Sequence, residues 1–381
     1  MSNVPKGYKQ SEVGVIPEGW EVKKLGEVVG RITTGKLDAN AMVENGEYRF
    51  YTCAKNYYFI NKYAFDTEAL LVSGNGANVG YIHYYNGKFN AYQRTYVLSD
   101  FTENILFIKL FMDRNLQERI RVEVNAGNTP YITMDTLSEM SIMFPPTIAE
   151  QTAIATVLSD TDALIEHLEK LIAKKKAIKQ GTMQQLLTGK KRLPGFSGKW
   201  EVKTLDEVIY CLDNLRVPLN DSQRLTMKGD YPYCGANGIL DFINEYMIDD
   251  DIILIAEDGG YFDEYHFRPI AYRMKGECWV NNHAHILKAK ERYNQDFIFY
   301  SLVHKNILRF LASGTRAKLN KSEMYKIEIN TPSTKEEQTA IVTILSDIDA
   351  EISQLNQKLD KYKMIKQGMM QELLTGKIRL I

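Results

Sequence analysis

The sequence predicts a mixed α/β fold in which two related globular domains each run into a long helix. Three observations carry this. The stretch from Glu150 to Leu193 returns at Glu337 to Leu380 without a gap, and roughly 28 of its 44 positions are identical, far more than unrelated helices share. A shorter repeat precedes each helix, WEVKKLGEV at Trp20 to Val28 and WEVKTLDEV at Trp200 to Val208. Between lead-in and helix, both halves carry short apolar runs broken by glycine-rich turns, the pattern of strands. The domains that follow are a first over 1–146 with its lead-in over 1–28, a central helix over 147–193, a second domain over 194–333, and a C-terminal helix over 334–381. A length of 381 residues suits two or three such bodies.

Taken in order, the two variable regions, 20–146 and 200–332, run in parallel. Tyr48-Arg-Phe-Tyr and Tyr231-Pro-Tyr-Cys hold similar places, as do the strand-like runs Ala69-Leu-Leu-Val and Asp251-Ile-Ile-Leu-Ile, each followed by a glycine turn. Ala91-Tyr-Gln-Arg-Thr-Tyr-Val-Leu then matches Asn281-Asn-His-Ala-His-Ile-Leu. Helical stretches near Leu106 to Arg121 and Phe297 to Leu311 follow, and a short strand leads to a proline boundary. A shared scaffold with divergent loops suits two related recognition tasks.

Each long helix opens on a capping box, Thr147-x-x-Glu150 and Thr334-x-x-Glu337, whose hydroxyl and carboxylate each satisfy a first-turn amide. Pro145, Pro146 and Pro332 stand upstream, and Gly189 and Gly376 suit the left-handed residue that ends a helix. About 40 residues at 1.5 Å make a rod of ~60 Å. The seam of the second copy is Leu345, Ile348, Ile352, Leu355, Leu359 and Tyr362, spaced as in a coiled coil. The first copy matches it with Leu158, Ile165, Leu168 and Ile172, and adds a flanking stripe of Val157, Leu164, Leu171 and Ile178. The common seam is expected to pair the helices, and the stripe to meet a globular domain or another chain. Gly181 and Gly368 would suit a close backbone crossing, which would offset their cost of roughly 1 kcal/mol in a helix. The chain order also looks circular. LLTGKKRLPGFSGKW leads from the first helix into the second lead-in, while GYKQSEVGVIPEGW resembles what should follow LLTGKIRLI. The first and last segments are therefore expected to meet, giving a pseudo-twofold particle.

Composition narrows the function. With 47 Lys and Arg against 48 Asp and Glu, the net charge of −1 argues against a free-standing, strongly basic DNA binder. Lys170, Lys174, Lys175, Lys176, Lys179, Lys190, Lys191 and Arg192 nevertheless crowd the end of the first helix, where a solvated face is the plainer alternative to a partner surface. Asp249, Asp250, Asp251, Glu257, Asp258, Asp263 and Glu264 form an acidic counterpart, so partners are expected to supply positive field if DNA is bound. No signal core follows the N-terminus and no run approaches the ~18 apolar residues of a membrane span, so a cytoplasmic protein without membrane contact is expected. Cys53, Cys211, Cys234 and Cys278 form no CxxC pair and read as buried thiols.

No catalytic constellation emerges. Gly74-x-Gly76-x-x-x-Gly80 misses the dinucleotide spacing and reads as a turn. Asn128-Thr-Pro-Tyr131 resembles the Asn-Pro-Pro-Tyr motif of adenine methyltransferases but lacks its middle proline, and no cofactor loop precedes it. Glu21-x-Lys23 and Glu201-x-Lys203 lack the aspartate of a nuclease site ahead of Glu21. His283 and His285 alternate on a strand, but no carboxylate or thiol stands at ligand spacing, so no metal site is expected and both read as structural or base-reading histidines. Gln93, Arg94, Asn281, Asn282 and His283 are candidate base readers, since amide and guanidinium groups bond bidentately to adenine and guanine edges. Tyr84, Tyr85, Arg268 and Arg316 are further candidates, with Lys318 and Lys321 for phosphates.

With the Glu-Gln…Leu-Leu-Thr-Gly-Lys signature in both helices, the opening GYKQSEVGVIPEGWEV and the Asn281-Asn-His-Ala-His-Ile-Leu strand, the chain resembles the specificity subunit of a Type I restriction-modification system. The resemblance implies two target-recognition domains, residues 20–146 and 200–332, each reading half of a split, asymmetric double-stranded DNA sequence. The helices Thr147 to Leu187 and Thr334 to Leu374 would pair antiparallel as a ruler for the spacer and dock two modification subunits. Val157, Leu158, Leu164, Ile165, Leu168, Leu171 and Ile172 of the first, with the six seam residues of the second, would serve pairing and docking. Adenine methylation with S-adenosylmethionine would belong to those partners, and ATP with magnesium to restriction subunits, leaving this chain without cofactor or catalytic residues. Two other readings stay open: a coiled-coil scaffold without DNA readout, which leaves two elaborated domains unexplained, and a self-contained DNA enzyme, which lacks its cofactor loop.

Overall fold

A computed structural model describes residues 4–123, 130–312 and 317–380. The chain divides into two compact units, Met1–Glu169 with Gln357–Ile381, and Lys170–Asn356. The division falls inside both long helices, not at their ends.

In the first unit, β1 (Tyr8–Ser11) and β2 (Gly14–Pro17) form a hairpin. β3 (Glu21–Lys24) leads into β4 (Val29–Thr34), β5 (Tyr48–Tyr51), β6 (Tyr58–Ile60), β7 (Phe65–Ser73), β8 (Ile82–Ala91) and β9 (Thr95–Phe101). These last six make one sheet in the order β4-β9-β7-β8-β5-β6, antiparallel except for β5 against β8. Its buried strand β7 reads Ala69-Leu-Leu-Val-Ser with no exposed residue, because the helix Ile105–Glu123 covers one face through Phe107, Ile108, Phe111 and Met112. β10 (Ser141–Phe144) returns to pair with β3 before the central helix begins.

The second unit repeats this plan. β11 (Trp200–Thr204) is followed by β12 (Ile209–Cys211), β13 (Lys228–Gly235), β14 (Gly238–Ile243), β15 (Ile248–Asp249), β16 (Ile252–Ala256), β17 (Ala271–Met274), β18 (Glu277–Val280), β19 (Ala284–Ala289) and β20 (Glu328–Pro332). β11 pairs with β20 as β3 does with β10. The register is shared: Leu70 faces Leu98 as Ile253 faces Leu287, and Val72 faces Ile82 as Ile255 faces Ala271. One ladder continuous in the first unit is interrupted in the second, where Gly276 at φ +76 turns the chain and donates its amide to Asp250 O at 3.0 Å. The six-stranded sheet thereby becomes two four-stranded sheets, β12-β19-β16-β17 and β14-β13-β18-β15.

The central helix spans Ile148–Leu186 and the C-terminal helix Lys335–Leu373. They run antiparallel within each unit: Asp162 with Lys366 (2.6 Å) and Glu169 with Lys363 (2.7 Å) in the first, Lys179 with Asp349 (2.6 Å) and Lys175 with Glu351 in the second. The packing carries the expected seam into the domain cores at both ends. Leu158 sits with Ile154, Ala155, Leu373 and Leu374 in the first unit's core, and Leu345 with Ile341, Val342, Met183 and Leu186 in the second's, so each leucine shares a core with both its own domain and the end of the other helix. Leu168, Ile172 and Leu359 are buried, while Ile165, Ile348, Ile352, Leu355 and Tyr362 are half-buried along the helices. Of the flanking stripe, Val157 and Ile178 are exposed and Leu164 and Leu171 half-buried.

Each capping box is only half formed. Thr147 Oγ1 accepts the Glu150 amide at 3.2 Å, but the Glu150 carboxylate turns away to bind the Arg379 guanidinium through two bonds. In the second unit Glu337 likewise takes Arg192 at 2.6 and 2.8 Å and the Trp200 indole at 3.3 Å. A buried carboxylate gains more from a bidentate cation than from one more amide. Gln151 and Gln338 play matched parts, accepting the amides of Asn104 (2.9 Å) and Asn294 (2.8 Å). The signature thus ties the start of one helix to the exit of the other. At those exits Gly189 (φ +71) lies against Trp200 and Gly376 (φ +70) against Trp20, where a Cβ at Gly376 would fall 2.5 Å from Pro17. The first and last segments of the chain therefore meet, within the first unit. Gly181 and Gly368 face open space, so no close crossing explains them. Cys234 and Cys278 are buried as expected, but Cys53 and Cys211 are half-exposed, each at a strand end.

Candidate nucleic-acid interface

At one edge of each domain the segments joining the strands converge. In the first unit these are 52–57 after β5, 74–81 between β7 and β8, 92–94 between β8 and β9, and 130–132. Backbone bonds knit them: Gly74 N donates to Arg94 O (2.8 Å), Ile132 N to Gly74 O (2.9 Å) and Gly76 N to Pro130 O (3.0 Å). Asn78 Nδ2 donates to Cys53 O at 3.0 Å, and the Cys53 thiol to Arg94 O at 3.4 Å. Gly74 is required here, since a Cβ would lie 2.3 Å from Arg94 O. Lys55, Gln93, Arg94 and Tyr131 stand exposed on this rim. Gln93 is braced by Asp38, 2.7 Å from its amide nitrogen.

The second unit builds the same edge from 236–237, 257–270, 281–283 and 317–319. Glu257 N donates to His283 O (2.9 Å) and Leu319 N to Glu257 O (2.7 Å), the counterparts of the Gly74 bonds. The side chains differ throughout. His285 stands where the first unit has Tyr96, and each bonds the carbonyl of the last segment, Leu319 O at 2.8 Å and Ile132 O at 3.0 Å. His285 also bonds Asp213 through Nδ1 at 2.7 Å. Burial alone would lower its pKa, but the bonds to Asp213, Cys211 and Leu319 O raise it to about 9, so the imidazolium persists at neutral pH. Asp213 is held below the ordinary range, because His285, the Ile286 amide and Arg216 outweigh its desolvation. Arg216 bridges Asp213 (3.2 Å) to Glu257, which also takes Lys318 at 2.9 Å.

Cys211, Asp213 and His285 have ligand atoms within 4.8 Å of one another, a grouping hidden from sequence by the 72 residues between Asp213 and His285. Their bonding favours an ion-pair network over a metal site. One Asp213 oxygen takes the Ile286 amide (3.0 Å), the other takes His285 and Arg216, and a dication would sit against Arg216.

The structure gathers Gln93 and Arg94 on one rim and Asn282, His283 and Lys318 on the other. Asn281 is corrected: it is 4% exposed and its Oδ1 accepts the His283 amide at 2.8 Å, shaping the turn instead of facing a ligand. Tyr84 lies mid-strand, its hydroxyl on Glu68 at 2.6 Å, and Tyr85 packs in an aromatic cluster under Arg49; neither joins the rim. Arg268 stacks on Tyr261 at 3.1 Å within the longer 257–270 segment. Lys321 begins a one-turn helix three residues past Lys318. Arg316, and Asn128 and Thr129 of the methyltransferase-like motif, lie outside the described residues. Lys55 and Arg216 escaped sequence reasoning, and Tyr131 and Asp258 were read there only as parts of a motif and of an acidic run, since only the folded loops bring them to the edge.

Two copies of one α/β scaffold, each presenting a rim of polar, aromatic and basic side chains above a fixed backbone, define a tandem recognition protein. The model of the Type I restriction modification DNA specificity domain matches the chain twice, over residues 17–180 and 197–363, and the chain belongs to that family. It is 31% identical over 238 residues to the Type I restriction enzyme EcoDI specificity subunit of Escherichia coli, a match covering 54% of this chain and 52% of that one. The chain thus spans about half the length of that relative. A putative MjaX specificity subunit of Methanocaldococcus jannaschii is 26% identical, with 98% and 97% covered. The crystal structure of a Type I restriction-modification S subunit from M. genitalium shares the fold, with a TM-score of 0.70, 18% identity, and 93% and 96% covered. Among the described residues no helix is long and apolar enough to cross a membrane.

Proposed function

We propose that this chain is the non-catalytic DNA-recognition subunit of a Type I restriction-modification assembly, each rim reading one half of a split, asymmetric target in double-stranded DNA. The observation carrying this is the twice-built rim, whose backbone bonds coincide while nearly every exposed side chain differs. That is what two different half-sites ask of one scaffold, because base edges are told apart by side-chain donors and acceptors held on a fixed frame. With net charge −1, the phosphate field would come in good part from partners. Two modification subunits would dock on the helices, where Val157 and Ile178 remain exposed, and would bring S-adenosylmethionine to methylate adenine. Restriction subunits, using ATP with magnesium, would join the same cytoplasmic complex, and the helices would set the spacer between half-sites.

Single-molecule methylome sequencing of cells carrying a matching modification subunit, with and without this chain, tests the reading. An adenine mark in a bipartite motif that depends on the chain is the expected result. An assembled complex that adds no mark in any context would leave a scaffold.

A further inference from the structure

Resting on that reading, we propose that Arg94 and His283 are the equivalent specificity-determining positions of the two domains, and that Asp258 is the positioning residue that aims His283. The two residues occupy the same place on the same frame. Each carbonyl accepts the amide of the first residue after the long buried strand, Gly74 or Glu257, at 2.8 and 2.9 Å. Each turn is anchored one strand further on by the same bond, Tyr92 N to Tyr51 O at 2.9 Å and Asn281 N to Cys234 O at 3.0 Å. The residue beside that frame is Asn75 in one unit and Asp258 in the other, bridged to Tyr131 and Lys318 in turn. Backbone geometry therefore cannot distinguish the rims at this point. The side chains do.

Arg94 is exposed and carries only donors, and its planar fork matches the O6 and N7 acceptors of guanine. His283 is shorter, 42% exposed at its side chain, and bonded through Nδ1 to Asp258 Oδ1 at 2.8 Å. A carboxylate accepts only, so Nδ1 carries the proton and the ring turns Nε2 outward. Aimed in this way, the ring makes one contact where Arg94 makes two, and it reaches less far. The first rim is thus built to demand guanine at this position, and the second to read its base through a single oriented nitrogen. Asp258 touches no base in this scheme and acts through the ring.

The experiment transplants the first unit's pair into the second. Asp258→Asn with His283→Arg, in the full chain assembled with its modification subunits, is expected to convert one base of the second domain's half-site to guanine, leaving the other half-site and the spacer unchanged. Arg94→Ala, in the opposite rim, is expected to relax one position of the first half-site to any base. Asp258→Asn alone should lower methylation at the wild-type motif about tenfold, and His283→Gln, which keeps a polar reader, should lower it less than His283→Ala. Variants that assemble and methylate the unchanged motif at the unchanged rate would overturn the proposal while leaving the recognition role intact. A wild-type complex without any bipartite motif would instead remove the reading on which it rests. Should the double variant fail to assemble, Arg94→Ala decides, since its side chain is exposed and its frame bonds are backbone only.

Discussion

The two domains carry the same strand pair in the same register, yet one keeps it whole and the other interrupts it. β7 and β8 pair continuously from Phe65 with Phe89 to Val72 with Ile82, whereas the counterparts break at Asp250-Asp251 opposite Lys275-Gly276. The connection that follows is eight residues in the first domain, 74–81, and fourteen in the second, 257–270. The longer one places Tyr265, His266 and Phe267 beside Lys176 and Met183 of the central helix, leaving Phe267 89% exposed. Polar anchoring differs too. The second domain holds its rim with the His285, Asp213, Arg216, Glu257 and Lys318 network, where the first uses Gly74, Tyr96 and Tyr131. A buried core fixes register because a slip of one residue would invert every side chain, while rim and connection are free to vary.

The sharpest test of this comparison is packing. Leu158→Ala and Leu345→Ala, both fully buried in domain cores, should each lower stability by about 3 kcal/mol, whereas Leu355→Ala, half-buried between helices, should cost about 1 kcal/mol, as measured by chemical unfolding. Equal losses at all three would mean that the domains add nothing to the helix contact at Leu158 and Leu345.

The charged rim should give the second domain a histidine titration opposite in sign to that of the first, where burial lowers the His83 pKa and stability is lost as pH falls. The folded pKa of His285 is raised to about 9 from 6.5, so its contribution is fully present below pH 6.5 and is lost as pH climbs through 9. About 3 kcal/mol should disappear across that window, read as a falling unfolding temperature, and His285→Gln should flatten it. Lys305, whose pKa burial lowers, works in the opposite sense at higher pH, so the comparison is between wild type and His285→Gln.

Arg379→Ala should strand the Glu150 carboxylate, 6% exposed, at a cost of about 2 kcal/mol, with faster amide exchange in the β1–β2 hairpin of the first unit alone. Arg192→Ala should loosen only the second unit, and less, because residues 193–199 still connect exit to lead-in. The smallest effect is a gain. Gly181→Ala and Gly368→Ala, with nothing within 4 Å of the added methyl, should each stabilise by about 0.5–1 kcal/mol in thermal unfolding.

Repetition made the architecture legible from sequence. Two gapless copies of one helix and two copies of the Trp-Glu-Val lead-in required two related domains, and matched apolar runs located β7 with β16 and β9 with β19. What stayed hidden depends on distance across the fold. Glu150 looked like a capping carboxylate because its partner Arg379 lies 229 residues away, and heptad spacing gave Leu158 its partner helix but not the domain core that also closes on it. On the rim, Gln93, Arg94, Asn282 and His283 were legible as polar residues at strand ends, whereas Asp258 was one acid in a run of acids until the loop set it against His283.

The noncontiguous make-up of the first unit also orders events on the ribosome. Lys170–Asn356 is one uninterrupted segment and can close as it is made, whereas the first unit needs Gln357–Ile381, which emerges only after that segment. At ~5–20 residues per second, the 187 intervening residues take roughly 10 to 40 s. Through that interval Ile16, Trp20, Ile154 and Leu158 wait without Leu373 and Leu374, the residues that later share their core. The nascent chain thus holds an open apolar slot whose own plug is still being translated, and synthesis speed and chaperone supply should govern the yield of the first domain more than that of the second.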